Sequence, residues 1–184
     1  MFLIKKFKEF IFQNYLEKKL YMIGCSHLLK ARKNYKNIKN ISNTEFKIYS
    51  QNGEDGIIDY LTKQLNIAKP KFLEIGIGDY SESNTRFIYE RTSPKGMVVD
   101  CINDLEKKIK KKVKIWKGDL KIINKEINSS NALQLLNKDN MLHDLDLFSI
   151  DIDGIDYWIL DKLPKHFSKI VVLEYNPTFG FDLE

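Results

Sequence analysis

From residue 46 onward, short apolar runs rich in β-branched residues alternate with stretches of helical periodicity, and no other feature restricts the fold as much. The runs are Lys71–Ile75 (KFLEI), Gly96–Ile102 (GMVVDCI), Val113–Trp116 (VKIW), Asp146–Ile152 (DLFSIDI) and Lys169–Glu174 (KIVVLE). Between them the spacing predicts helices over Gly53–Ile67, Ser83–Arg91, Asp104–Lys112, Ile122–Leu136 and Asp156–Leu163. Pro70 and Pro164 follow the first and the last of these, as helix stops do. Strands this short and apolar are buried on both faces, which calls for an α/β fold with a parallel sheet covered on either side.

The first 40 residues are different. Phe2, Leu3, Phe7, Phe10, Ile11, Phe12, Tyr15, Leu16 and Leu20 recur at spacings near three and four, with lysines over much of the other face. Residues 1–40 hold 10 Lys/Arg against 2 Asp/Glu, a net of +8 within a chain whose total is +5. Residues 41–184 hold 20 against 23, a net of −3. The division is a basic helical arm over 1–45 and a domain over 46–184. The mildly acidic domain argues against a nucleic-acid footprint. The arm is expected to pack on its own domain or on a second subunit; the other reading is a membrane-surface helix or a partner-binding arm.

At 43% hydrophobic and 30% charged residues the composition is that of a globular chain, not a disordered one. Its apolar runs are too short for a membrane-spanning helix, and the N-terminus MFLIKKFKEFIF lacks the continuous apolar stretch of a signal peptide. The expected address is cytoplasmic, with attachment at the inner membrane surface as the arm's contribution. Cys25 and Cys101 cannot form a disulfide scaffold, and three histidines without ligand spacing make no zinc cluster. Cys101 is read as a small buried apolar group.

In an open parallel sheet, ligands bind beyond the C-terminal strand ends, so the residues just after each strand carry the chemistry. After the first strand come Glu74, Gly76, Gly78 and Asp79, where the glycines permit a sharp turn and close backbone approach. Asp100 follows the second strand, about 24 residues beyond Gly76, where an acid can accept from both hydroxyls of a ribose. Gly118 and Asp119 are read as following the third strand, beside an adenine. This order suits an adenosine-containing ligand. A dinucleotide fingerprint would need a third glycine, whereas Asp79, Tyr80 and Ser81 follow Gly78. The acids Asp79 and Glu82 suit a pyrophosphate poorly and are compatible with a sulfonium.

Three blocks resemble the class I S-adenosylmethionine-dependent methyltransferases, and more closely their FkbM-like group. They are Ser50–Gly56 (SQNGEDG), Phe72–Asp79 with Glu82–Arg86 (FLEIGIGD, ESNTR), and Phe148–Trp158 with Val171–Asn176 (FSIDIDGIDYW, VVLEYN). The likeness covers about residues 49–177 and departs at Tyr80, where relatives usually carry glycine. It implies a Rossmann-like doubly wound sheet. It also implies S-adenosylmethionine as cofactor along Glu74, Gly76, Gly78, Asp100 and Asp119, with Glu54 and Asn84 as weaker candidates. The activity implied is O-methylation of a sugar or other small polar acceptor. Class I members have seven strands in the order 3-2-1-4-5-7-6. Five are counted here, in the order 3-2-1-4-5, and ten residues after Glu174 cannot supply two strands and a helix. The chain is therefore expected to be a C-terminally incomplete member, with the fifth strand as an open edge.

Asp151 and Asp153 stand two apart at the end of the fourth strand, so both carboxylates share one face, within reach of Glu174. They are candidates for catalysis, as a general base toward a sugar hydroxyl. With Glu174 they are also candidates for a Mg²⁺ site, an arrangement similar to that of some sugar O-methyltransferases. A competing reading makes Asp151-Ile152-Asp153 the D-x-D motif of a glycosyltransferase, and a third makes the chain a non-catalytic remnant of the fold. His143 and His166 precede their strands, opposite the expected site, which leaves the base to a carboxylate. Tyr157 and Trp158 are read chiefly as packing residues.

Overall fold

The computed structural model describes residues 2–152 and 154–174. Five parallel strands form one sheet in the order β3-β2-β1-β4-β5. They are β1 (Phe72–Ile75), β2 (Lys95–Asp100), β3 (Asp119–Asn124), β4 (Leu145–Ile150) and β5 (Ser168–Leu173). The helices are α1 (Phe2–Arg32), α2 (Glu54–Gln64), α3 (Arg86–Thr92), α4 (Leu105–Lys112), α5 (Ala132–Leu136) and α6 (Asp156–Leu160). This is the parallel sheet expected from the alternation, in the doubly wound Rossmann-like form that the resemblance implies, with β5 as one border strand among the described residues.

The strands' period of two sorts the core into halves. Leu73, Ile75, Met97, Val99, Phe148 and Ile150 face α5 and α6, packing on Leu135, Leu136 and Ile159. Phe72, Val98, Leu147 and Ile170 face the other way, onto Ile58 of α2, Ile88 and Tyr89 of α3, and Leu105 and Ile109 of α4. Glu74 shares the face of Phe72 and is as buried as its apolar neighbours.

Two expectations about the third strand do not hold. Val113 caps α4, and Ile115–Lys117 form a single 3₁₀ turn with Trp116 exposed. The strand is Asp119–Asn124 (DLKIIN), so the helix expected over Ile122–Leu136 shortens to Ala132–Leu136. The other edge of the sheet explains the misreading. An edge strand is covered on fewer sides, so β3 tolerates Lys121 and Asn124 and carries no unbroken apolar run.

The second half of α1 packs on the domain. Leu28 is buried with Tyr49 and Phe87, and Tyr21, Cys25, Phe46 and Ile48 lean on that cluster. Polar clamps complete the seam. Asp59 of α2 accepts from Arg32 at 2.6 and 2.9 Å, from Arg91 at 2.6 Å and from the Tyr35 hydroxyl at 2.9 Å. Glu17 accepts from Arg86 Nη2 at 2.8 Å. No helix among the described residues is long and apolar enough to cross a membrane.

Candidate functional site

A cleft of about 570 Å³ opens at the C-terminal ends of β1, β4 and β5, where the strand order reverses between β1 and β4. Gln51, Asn52 and Glu54 form one wall. Glu74 and the turn Gly76–Asn84 form the floor and a second wall, with Ile150, Asp151, Val172, Leu173 and Glu174 opposite.

The glycine turn is dictated by close approach. Gly76 has φ +80°, and a Cβ there would stand 1.8 Å from the Asp151 carbonyl oxygen. Tyr80 also has a positive φ, +66°, which accounts physically for a glycine preference at that position. Here the tyrosine accepts the left-handed backbone and buries its ring completely beneath the loop, with its hydroxyl 3.1 Å from Thr85 Oγ1. It does not line the cleft.

Glu74 organises the following segment. Its Oε1 accepts from the Asn84 amide at 2.8 Å; its Oε2 accepts from the Ser83 and Thr85 hydroxyls at 2.6 and 2.5 Å and from the Thr85 amide at 3.1 Å. Burial pushes its pKa up, and these hydrogen bonds pull against that rise. They hold the segment that leads into α3, which begins at Arg86. The Asn84 side chain does not cap the helix; it donates to Ser149 Oγ on β4 at 3.0 Å. Glu54, in the first turn of α2, accepts from the Asn52 amide at 2.7 Å and faces the cleft.

Asp100 closes the turn from the side of β2. Its Oδ2 accepts from the Gly78 amide at 2.8 Å, and its Oδ1 from Cys101 and Ile102 at 2.7 and 3.1 Å. It stands at the correct strand end but outside the cleft lining. Asp119 is displaced altogether. It opens β3, opposite Lys95 at the start of β2, and so lies at the N-terminal edge of the sheet, away from the cleft. The misplaced third strand is the cause, and the residues at that strand's proper end are Asn124 and Lys125.

Asp151 and Glu174 both line the cleft, whereas Asp153 lies outside the described residues. No side chain caps α6; Asp156, its first residue, closes the preceding loop instead, its carboxylate accepting from the amides of Ile152 and Gly154 at 3.0 and 3.3 Å. Among the described residues, which leave out Asp153, no group of three histidines, cysteines or carboxylates comes together to hold a metal. His143 and His166 precede β4 and β5, at the opposite edge from the cleft. Tyr157 and Trp158 correct the packing expectation: they are 67% and 58% exposed and stack edge-on at 5.3 Å. Cys101 is exposed, not buried.

Arg86 is the residue that sequence reasoning left as part of a motif without a role. It is buried over the Tyr49 ring and donates to the carbonyls of Tyr80 and Ser81, to Glu90 and to Glu17. Asp55 is similar: one oxygen receives the successive amides of Ile48, Tyr49 and Ser50 at 2.7, 2.7 and 3.0 Å. Three amides in series on one carboxylate are a backbone property that side-chain spacing does not reveal.

Compared with family models, with curated proteins and with solved structures, the chain finds no match in any of the three.

Proposed function

We propose that the chain is an S-adenosylmethionine-dependent methyltransferase acting on a hydroxyl of a sugar or other small polar acceptor. The observation that carries this reading is the state of the glycine turn. The amides of Gly78, Tyr80, Ser81, Ser83, Asn84 and Thr85 all donate to groups within the protein. A turn that cradles a pyrophosphate must offer such amides to its ligand. This one spends them internally and lines the cleft with Glu54, Glu74, Asp79, Glu82, Asp151 and Glu174. Carboxylates around a cleft favour a positively charged ligand.

S-adenosylmethionine, when bound, supplies a methyl group on a positively charged sulfur. Glu54, Glu74, Gly76, Gly78 and Asn84 are the residues that would hold it, and Asp100 would receive its ribose. An ionised carboxylate has about four lone-pair sites, and Asp100 uses three of them on backbone amides, so one acceptor position remains. Asp151 takes the proton that the acceptor hydroxyl releases as its oxygen gains the methyl group. Apart from this the protein's contribution is positioning.

The test is transfer of labelled methyl from S-adenosylmethionine to a panel of saccharides, with Asp151→Asn alongside. Loss of the base should cost about a hundredfold or more in rate. Transfer unaffected by Asp151→Asn would remove that residue from catalysis.

A further inference from the structure

A second cleft, of about 540 Å³, lies between α1 and the end of α4, and its lining shares no residue with the site at the strand ends. Lys18, Lys110, Lys111, Lys112, Lys114 and Lys117 line it. Its two acids, Glu17 and Glu90, are both paired with Arg86. Lys112 is committed to Asp79 and Ser81, and Lys110 to Glu106. Lys18, Lys111 and Lys117 make no ion pair among the described residues. The cleft is thus strongly positive and solvent-facing.

Its border is apolar. Met22 lines the cleft and belongs to a row on α1 with Ile11, Tyr15 and Leu29, at spacings that place them on one side of a helix. All four are exposed, Met22 and Leu29 to 63% and 65%. Phe12, Leu16 and Ile23 form an exposed row beside them, with Lys8, Lys19 and Lys30 exposed among the two. The inward side of α1 is already satisfied by Leu28, Tyr21 and Arg32, so these exposed rows face outward, with Lys19 of the same helix over the Tyr15 ring.

We propose that this face binds an anionic lipid bilayer, with the outer side of α1 lying in the interface and the lysine cleft receiving phosphate headgroups. Apolar side chains interspersed with lysines are what an interfacial helix presents, because the lysine stems can lie along the apolar layer while their ammonium groups reach the headgroups. Charge decides against a second copy of the chain. Pairing two such faces would bring Lys8, Lys18, Lys19 and Lys30 of one against the same residues of the other, from arms of net charge +8. A bilayer surface of opposite sign meets both features together.

Co-sedimentation of the full chain with vesicles tests this, using phosphatidylcholine alone or mixed with phosphatidylglycerol. Binding is expected only with phosphatidylglycerol, and weaker at higher salt. Lys111→Glu and Lys117→Glu should each weaken it roughly fivefold or more, and the Ile11→Ser, Met22→Ser double variant roughly tenfold or more. All these positions are exposed, and unchanged circular dichroism would confirm that the variants fold. Lys165→Glu, before β5, should bind as the parent does. Inorganic phosphate should compete no better than chloride at equal ionic strength. The proposal is overturned by equal binding to neutral vesicles or none to either. Specific competition by phosphate, or a loss with Lys165→Glu as large as with Lys111→Glu, overturns it too. So does a dimer in solution that Ile11→Ser, Met22→Ser dissociates.

Discussion

The backbone at Gly76 passes so close to the carbonyl of Asp151 that a single added carbon would sit 1.8 Å from that oxygen. The turn after β1 and the loop after β4 are thus locked together by the absence of a side chain. Gly76→Ala is expected to destabilise the chain by more than the roughly 1–2 kcal/mol of the left-handed backbone alone. It should also abolish protection by S-adenosylhomocysteine in thermal unfolding. Retained protection would separate the cofactor from this turn.

Asp100 and Asp119 make a matched pair for testing where the ligand lies. Asp100 holds Gly78 at the cleft's edge, whereas Asp119 faces Lys95 across the far end of the sheet. Asp100→Ala should weaken S-adenosylhomocysteine binding by roughly 1–3 kcal/mol, the cost of unpaired polar groups. Asp119→Ala should leave it unchanged. Calorimetric titration of both variants reads the difference, and equal losses would contradict the geometry.

Arg86 couples α1 to the glycine turn through Glu17 on one side and the carbonyls of Tyr80 and Ser81 on the other. Arg86→Met keeps much of the volume but leaves Glu17, Glu90 and two carbonyls without the Arg86 donor. Removing one partner of a buried ion pair costs roughly 3–5 kcal/mol. Chemical denaturation should show a loss of that order, and limited proteolysis should show earlier cutting within α1. A loss under about 1 kcal/mol, the scale of a surface ion pair, would mean that the clamp is idle.

β1, β2 and β4 are legible in the sequence because central strands must be apolar on both faces, β5 is legible from its run KIVVLE, and the sheet order follows from the family resemblance. β1 and β4 are fully buried, and their runs stand out. β3 does not stand out, being an edge strand that mixes Leu120, Ile122 and Ile123 with polar residues, and a turn and a half of helical spacing imitates it. That one displacement moved Asp119 to the wrong end of the sheet. The acids divide in the same way. Spacing places Asp151 in the cleft, because position along a strand fixes which end a residue occupies. Spacing does not tell that Asp156 closes the following loop, nor that Glu74 restrains Ser83–Thr85, because those roles depend on amides whose direction is set by the turn.

The pair Asp79–Lys112 gives the pH dependence a definite sign. Burial alone would raise the Asp79 pKa; hydrogen bonds from Lys112 and Ser81 together outweigh it and hold it at about 2. A carboxylate depressed below its ordinary value of about 3.9 adds stability above that value, and the contribution is lost as pH falls through about 2. Asp79 is partly exposed, so solvent screening keeps the effect modest. Denaturant midpoints measured between about pH 5 and pH 2 should fall more steeply for the parent than for Lys112→Met. Parallel curves would show that the ion pair does not form in solution.

Calorimetric titration of the full chain with S-adenosylhomocysteine, NAD and a UDP-sugar tests the central claim most directly. The account predicts saturable binding of S-adenosylhomocysteine, competed by S-adenosylmethionine, and none for the two pyrophosphate ligands, because the amides of Gly76, Gly78, Tyr80 and Ser81 in the glycine turn are already committed within the protein. Binding of NAD or the UDP-sugar without binding of S-adenosylhomocysteine would contradict it.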